Sequence, residues 1–382
     1  MKVPNLQRVY DFCAGSDPYD HTPSMSQDFV CAMKEVLYHH VARSPLYAKL
    51  VERSGFDLDS FSSMEDIEKI PFVPAWVFKK YEILSMAKED VYLHLTSSGT
   101  SGQKSQIFFD RPTIESAQRM VDYIFKYYQW ITPHYPCNYL LYTYAPEGSG
   151  QLGTAYTDNF LCKYAPVQNI FYALRNVGKE EHKFDLFGAL DTLLKYEAEK
   201  IPVRIFGFPA FLYFTLEHMK KINHRPLKLN PESLVFLGGG WKGHQDRAIA
   251  KKALYALAGE MLGIPDSRLR DGFGSVEHCV PYIECQNHNF HVPTWSRVII
   301  RDVKTLKNIA MDRPGYINFI SPYITSMPAH SVLMGDLGIL RSKSGCSCGL
   351  DTHWFEVVGR AGVSKNKSCA MAASDLLKEW ER

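Results

Sequence analysis

The chain has 382 residues, 46% hydrophobic and 22% charged, the make-up of a globular protein with room for two or three packed subdomains. Its 43 Lys+Arg nearly balance 41 Asp+Glu and the signs are interspersed, so neither a nucleic acid nor an anionic membrane is called for as a partner. No run approaches the roughly 20 apolar residues of a membrane span, and the nine scattered cysteines, with no apolar leader in MKVPNLQRVYDFCAG, point to reduced thiols in a cytoplasmic protein.

Taken in chain order, residues 24–43 predict an amphipathic helix, with Phe29, Met33, Val36, Leu37, His40 and Val41 on one stripe. In SSMEDIEKIPFV, Ser62 with Glu65 reads as a capping box opening a short helix that Pro71 ends. DVYLHL (90–95) and SQIFF (105–109) read as strands around a tight loop, and Pro112 opens a helix faced by Ile114, Ala117, Val121, Ile124 and Tyr128. CNYLLYTYA (137–145) reads as a buried strand, and 180–199 as a helix with Leu186, Leu190, Leu193 and Leu194 inward. IPVRIFGFP is a strand followed by a helix over 210–221. SLVFLGGG (233–240) is a strand running into three glycines, with a helix over about 244–262. RLRDGFGSVEH reads as strand, glycine turn and helix start. The alternation predicts parallel α/β layers, and the sequence from Asn289 on turns strand-rich. There is no internal repeat.

The loop SSGTSGQKS, 97–105, poses the chemical question. Successive amides in a Gly/Ser loop can converge on an anion, with hydroxyls as further donors. Gly99 and Gly102 permit close approach of phosphate oxygens. It is not a Walker A loop, because Gln103 separates Gly102 from Lys104 and the loop runs strand to strand. On composition alone a flexible linker is the alternative.

Five motifs in order carry a resemblance. SSGTSGQKS resembles the phosphate loop of the adenylate-forming superfamily, in its phenylacetate–CoA-ligase-like branch. LGGGWKG (237–243) falls where that family binds adenine, GFGSVE (272–277) resembles its aromatic-Gly-x-x-Glu signature, MGDLG (334–338) its ribose-binding element and VGR (358–360) the start of its hinge. GRAGVSKNKSCAMAASDLL, with the GGGWKG block, narrows this to acyl-protein synthetases of the LuxE type, from bacterial fatty acid reductase complexes.

The resemblance implies a layered α/β fold: a large domain over 1–358, with a helical segment 1–85, an α/β core 86–288 and a β-rich region 289–358. Residues 359–382 would be a remnant of the hinge, without the family's mobile C-terminal domain. It implies that a fatty or other apolar acid and ATP form an acyl-adenylate, whose acyl group passes to a protein cysteine. Ser97, Ser98, Gly99, Thr100, Ser101 and Gly102 would hold the phosphates. Gly238, Gly239, Gly240, Phe273, Gly274 and Ser275 would surround the adenine, while Asp336 and Arg360 would take the ribose. Glu277 would ligate Mg²⁺, which favours a few protein oxygens beside phosphates; otherwise it is a first-turn glutamate. Cys369 would accept the acyl group, with Lys365 and Lys367 favouring its thiolate. One of these lysines, or a partner, would replace the lysine that the mobile domain supplies elsewhere. The partners implied are the acid and an acyl-accepting reductase or carrier protein. An acyl-CoA ligase and a non-catalytic nucleotide- or acyl-binding module are the alternatives. Aromatics near YLLYTYAPEGSG and IFGFPAFLYF would line the acyl pocket.

Cysteine and histidine spacing gives a second signal. Cys346-Ser-Cys348-Gly is a paired-ligand knuckle, and Cys285 with His288 or His291 offers a second half, a Cys₃His set that suits structural zinc. The branch's own zinc spacing points to His291.

Overall fold

The computed structural model describes residues 4–96, 105–145, 159–178 and 181–360. Helices Gln7–Cys13, Pro23–Arg43 and Pro45–Ser54 open the chain. The strands are β1 (Val73–Pro74), β2 (Leu93–Thr96), β3 (Gln106–Phe109), β4 (Cys137–Tyr144), β5 (Val167–Gly178), β6 (Glu181–Phe184), β7 (Val203–Gly207), β8 (Leu234–Gly238), β9 (Leu269–Phe273), β10 (Tyr282–Ile283), β11 (Phe290–His291), β12 (Arg297–Arg301), β13 (Pro314–Ile320), β14 (Ser331–Arg341) and β15 (Trp354–Arg360).

Two sheets and a hairpin result. A seven-stranded sheet runs β10-β9-β8-β7-β4-β5-β6, parallel from β9 to β5 and closed by antiparallel strands at both edges. The interior strand β4 is buried along almost its whole length because both faces are covered. Leu140 and Tyr142 face helices Leu186–Glu199, Pro209–Lys221 and Lys251–Leu262, whereas Tyr139 and Leu141 face the other core with Phe125 and Phe206. A six-stranded sheet holds β11-β15-β14-β13-β12, with β1 added in parallel to β14. Strands β2 and β3 form a separate antiparallel pair. The mixed α/β layers follow the expected fold class, and among the described residues no helix is long and apolar enough to cross a membrane. The eight described cysteines are all free.

Several expectations need correcting. The capping box is Ser63 with Asp66, not Ser62 with Glu65. Asp66 Oδ2 accepts from the amides of Ser62 (3.1 Å) and Ser63 (3.0 Å), since the tighter 3-10 turn Met64–Lys69 suits the shorter carboxylate. The helix placed at 180–199 starts at Leu186, capped by Asp185, which accepts from Gly188 N at 2.9 Å. Residues 181–184 are instead the edge strand β6. The twelve-residue β5 was not anticipated, because much of it lies exposed and shows no clean alternation. The strand at 90–95 is 93–96, preceded by a 3-10 turn Lys88–Asp90. The helix at 244–262 begins only at Lys251, after a 3-10 turn Gln245–Arg247. The segment after β9 is a turn rather than a helix start, ending where Cys279 takes φ 53°.

Between the N-terminal helices and the segment before β14 lies a set of buried histidines. His40 meets Ser85 Oγ at 2.8 Å and the Ile324 carbonyl at 3.1 Å; its ring stacks on His330 at 4.8 Å, and His330 Nε2 meets the Tyr47 hydroxyl at 2.7 Å. Burial holds His40 well below the usual histidine range and takes His330 to about 3; His278, also buried, is likewise held at about 3. These rings are neutral in the folded chain but protonate near pH 6.5 when unfolded. Their contribution is therefore complete above pH 6.5 and is lost as pH falls below it, for His330 and His278 down toward 3, at up to about 1.4 kcal/mol per pH unit for each ring. Thermal melts should shift down from pH 7.5 to 5.5, and His278→Gln should flatten that slope.

Candidate active site

The parallel strands β8 and β9 end side by side, with Gly238 opposite Gly272. Ligand crevices of α/β sheets form at such carboxyl ends. Glycine is required on this floor: a side-chain carbon at Gly239 (φ +72°) would stand 2.9 Å from the Phe208 ring, and one at Gly272 would stand 2.7 Å from that of Phe236. Past β9, the turn carries Glu277, only 6% exposed. The Ser105 hydroxyl, fully buried at the foot of the β2–β3 hairpin, donates to Glu277 Oε1. β3 therefore starts beside the Glu277 carboxylate.

Asp336 arrives from the other sheet. It pairs across β14 and β15 with Arg360, whose Nε is 3.8 Å from Asp336 Oδ1. Burial pushes the Asp336 carboxyl up, Arg360 pulls it down, and the nearby Glu277 carboxylate adds to the rise. Glu277 and Asp336 thus bring one carboxylate from beside each large sheet within the other's field. Residues 97–102, 365, 367 and 369, expected to hold phosphate and accept the acyl group, lie outside the described residues.

An apolar cavity of about 240 Å³ opens at the same strand ends. Its walls come from Leu95 and Phe109 of the hairpin, Val121 and Phe125 of helix Arg111–Tyr127, Phe236 of β8, and the segment 272–283. This differs from the expected lining. Of the IFGFPAFLYF aromatics only Phe208 takes part, and Tyr139 and Tyr142 are spent in the cores on either side of β4. Helical periodicity had marked Ile114, Ala117 and Val121 as a packing stripe, and that stripe turns out to be a cavity wall. Phe273 lines the cavity and also joins an aromatic cluster with Tyr282, Phe290, Phe319 and Phe355.

Cys285, His291, Cys346 and Cys348 converge, their ligand atoms all within 4.8 Å of one another. Cys285 and Cys346 sulfurs are 3.7 Å apart, and Cys348 Sγ lies 3.3 Å from His291 Nε2. A tetrahedral zinc with bonds of about 2.3 Å to sulfur needs sulfurs roughly 3.8 Å apart. His291 Nδ1 meets the Thr352 carbonyl at 3.1 Å, which fixes the ring with Nε2 toward the cysteines. Burial lowers His291 to about 4, so the imidazole is neutral and able to ligate. Amide groups of Asn289 (3.2 Å) and Asn287 (3.7 Å) donate to Cys346 Sγ. His288 turns away to Asp266 at 2.9 Å.

Sequence reasoning missed a buried polar group beside this cluster. Glu284, fully buried, accepts from Lys251 Nζ at 2.5 Å, Tyr255 Oη at 2.7 Å and Asp271 N at 2.8 Å. It stands next to Cys285, but nothing in local spacing marks a lone glutamate as the hub of three elements.

Comparison with known proteins shows the family and the fold. The family model of "Acyl-protein synthetase, LuxE" matches residues 7–378. A long-chain-fatty-acid–luciferin-component ligase of Aliivibrio fischeri is 24% identical, over 91% of this chain and 88% of its own length. That of Vibrio harveyi is 26% identical, over 90% and 86% respectively. In structure the chain is similar to an open conformation of 2-hydroxyisobutyryl-CoA ligase, with TM-score 0.62 and 13% identity over 88% of this chain and 75% of that one, which speaks to the fold. Since one continuous family match takes in the hairpin, both carboxylates, the strand ends and the cysteine–histidine cluster, this chain belongs to the acyl-protein synthetase family LuxE.

Proposed function

We propose that this protein, a ligase by family, activates a long-chain fatty acid with ATP and passes the acyl group to its own Cys369. The observation that carries the reading is the meeting of Ser105 and Glu277 within the field of Asp336, with Glu277 next in the chain to Val276 of the apolar cavity's wall. A polyphosphate and a hydrocarbon chain need opposite surroundings, and both kinds adjoin here. The names of the two bacterial relatives, ligases of a long-chain fatty acid, support the acid's class.

In the first step a carboxylate oxygen of the acid attacks the α-phosphorus, the bond to the bridging oxygen breaks, and pyrophosphate leaves with the electron pair. The amides and hydroxyls over 97–102 hold the departing phosphates. Glu277, oriented by Ser105, would hold Mg²⁺, which supplies positive charge as the α-phosphate is attacked. Asp336 takes the ribose hydroxyls, with Arg360 beside it. In the second step the Cys369 thiolate attacks the acyl carbon and AMP leaves, giving a thioester; Lys365 and Lys367 favour the thiolate. A protein partner, a reductase or a carrier, then takes the acyl group. Cys285, His291, Cys346 and Cys348 would hold a structural zinc.

Glu277→Gln should lower fatty-acid-dependent ATP–pyrophosphate exchange on the order of 10²-fold, as expected for loss of a charged group acting on the transition state. Unchanged exchange would remove Glu277 from the chemistry. Cys369→Ser should keep exchange but lose the hydroxylamine-labile radiolabel from a tritiated fatty acid; a variant that still labels places the acceptor elsewhere. Elemental analysis should find one zinc per chain, absent from Cys346→Ser, with a lower melting temperature.

A further inference from the structure

Helix Arg111–Tyr127 lines the apolar cavity with Ile114, Ala117, Gln118, Val121 and Phe125, which share one face at helical spacing. The face begins just after hairpin strand β3 and ends at Phe125. It therefore runs about 16 Å along the helix axis, the length of about a dozen extended methylenes.

The two ends of this wall differ. Ala117, Gln118 and Val121 are half-buried, whereas Phe125 is fully buried. The Phe125 ring is held among three others: it stacks on Tyr164 at 4.6 Å and meets Trp130 at 5.3 Å and Phe236 at 5.7 Å, both edge-on. Phe236 is itself a cavity wall, and its ring closes under Gly272, where an added carbon would stand 2.7 Å from it. Trp130 and Tyr164 are buried and stand outside the cavity lining. Both are anchored. The Trp130 carbonyl accepts from Arg204 Nη2 at 2.9 Å, and the Tyr164 hydroxyl donates to Asp122 Oδ1 at 2.5 Å. Close-packed, anchored rings yield little to an incoming group. Among the described residues, what lies beyond Phe125 is therefore packed rings and not space.

We propose that Phe125 is the floor of the acyl pocket and sets the longest fatty acid that this ligase activates. The proposal rests on the acyl-activating reading above. The tail lies along the helix face with its terminal methyl against the Phe125 ring, and the head points toward the hairpin and the ends of β8 and β9. Each methylene added before the floor is reached gains apolar contact. The first one past it must displace rings that have no room to move, so the limit is sharp.

The test uses the full chain and a series of saturated fatty acids that differ by two carbons, with kcat/KM read from ATP–pyrophosphate exchange. In wild type the value should rise by up to about fourfold per methylene, then fall about tenfold or more at one length. Phe125→Ala should move that fall to acids longer by about two to four carbons, and Phe125→Leu by less. Val121 sits one turn nearer the half-buried end of the same face, so Val121→Phe should move the fall to shorter acids. Ratios between acids do not depend on the fraction of enzyme folded, so a loss of stability cannot imitate these shifts. If Phe125→Ala fails to fold, Phe125→Leu and Val121→Phe decide. The assignment is overturned if the Phe125 variants leave the fall where it is in wild type. Calorimetric titration of the same acids without ATP separates this from the parent reading. Wild type that binds acids with a cut-off moved by Phe125→Leu, yet shows no acid-dependent exchange, keeps the floor and sinks the ligase. Exchange with a cut-off that Phe125→Leu does not move keeps the ligase and sinks the floor.

Discussion

The hydrogen bond from Ser105 to Glu277 is the constraint on which the site depends. Both groups are buried, and a carboxylate in such surroundings is held firmly by a donor and is costly to leave without one. The bond joins the hairpin to the turn after β9, and the field of Glu277 reaches Asp336 on β14. The hairpin shares no ladder with either large sheet, so side chains must hold it. Phe108 N approaches Met327 Sδ at 3.1 Å, and Thr325 Oγ1 donates to Asp110 Oδ2 at 3.0 Å. Both anchors come from the chain just before β14. The hairpin is thus fixed to both sheets at once, at the place where they meet.

How much was legible in the sequence followed from where the physical signal lay. Fully buried strands such as β4 and β7 declare themselves as apolar runs, and β8 does so with the glycines that close it. The amphipathic helices Pro23–Arg43 and Arg111–Tyr127 came out within a residue of their observed ends, since proline and a cap mark each start. The gathering of Cys285, Cys346 and Cys348 was readable because metal chemistry restricts residue types so narrowly, whereas the choice of His291 over His288 came from the family resemblance. The half-exposed β5 carried no pattern to read. The cavity was misplaced for a different reason. Aromatic residues on β4 and on Arg111–Tyr127 look alike in sequence, and only packing decides which of them face a core and which face an opening. Glu284 was invisible, because its importance arises from neighbours distant in the chain.

The site combines two environments that would be incompatible if mixed. Phe109, Phe125 and Phe236 exclude water from one side, while Glu277, Asp336 and Arg360 gather charge on the other. The glycines at the ends of β8 and β9 form the seam, since bare backbone offers amides to polar atoms and little bulk to a hydrocarbon chain. Keeping the carboxylates out of the aromatic walls avoids the desolvation cost of a charge surrounded by rings.

The position of the cysteine–histidine cluster has a mechanical consequence. Cys285 and His291 flank the short stretch in which the chain leaves the seven-stranded sheet at β10 and enters the six-stranded sheet at β11, while Cys346 and Cys348 come from the turn joining β14 to β15. The cluster therefore clamps the crossing point between the two sheets, and Glu284 ties that crossing to β9. Glu277 follows one sheet and Asp336 rides on the other, so the clamp sits where the spacing between those two carboxylates is set, without being part of their surroundings.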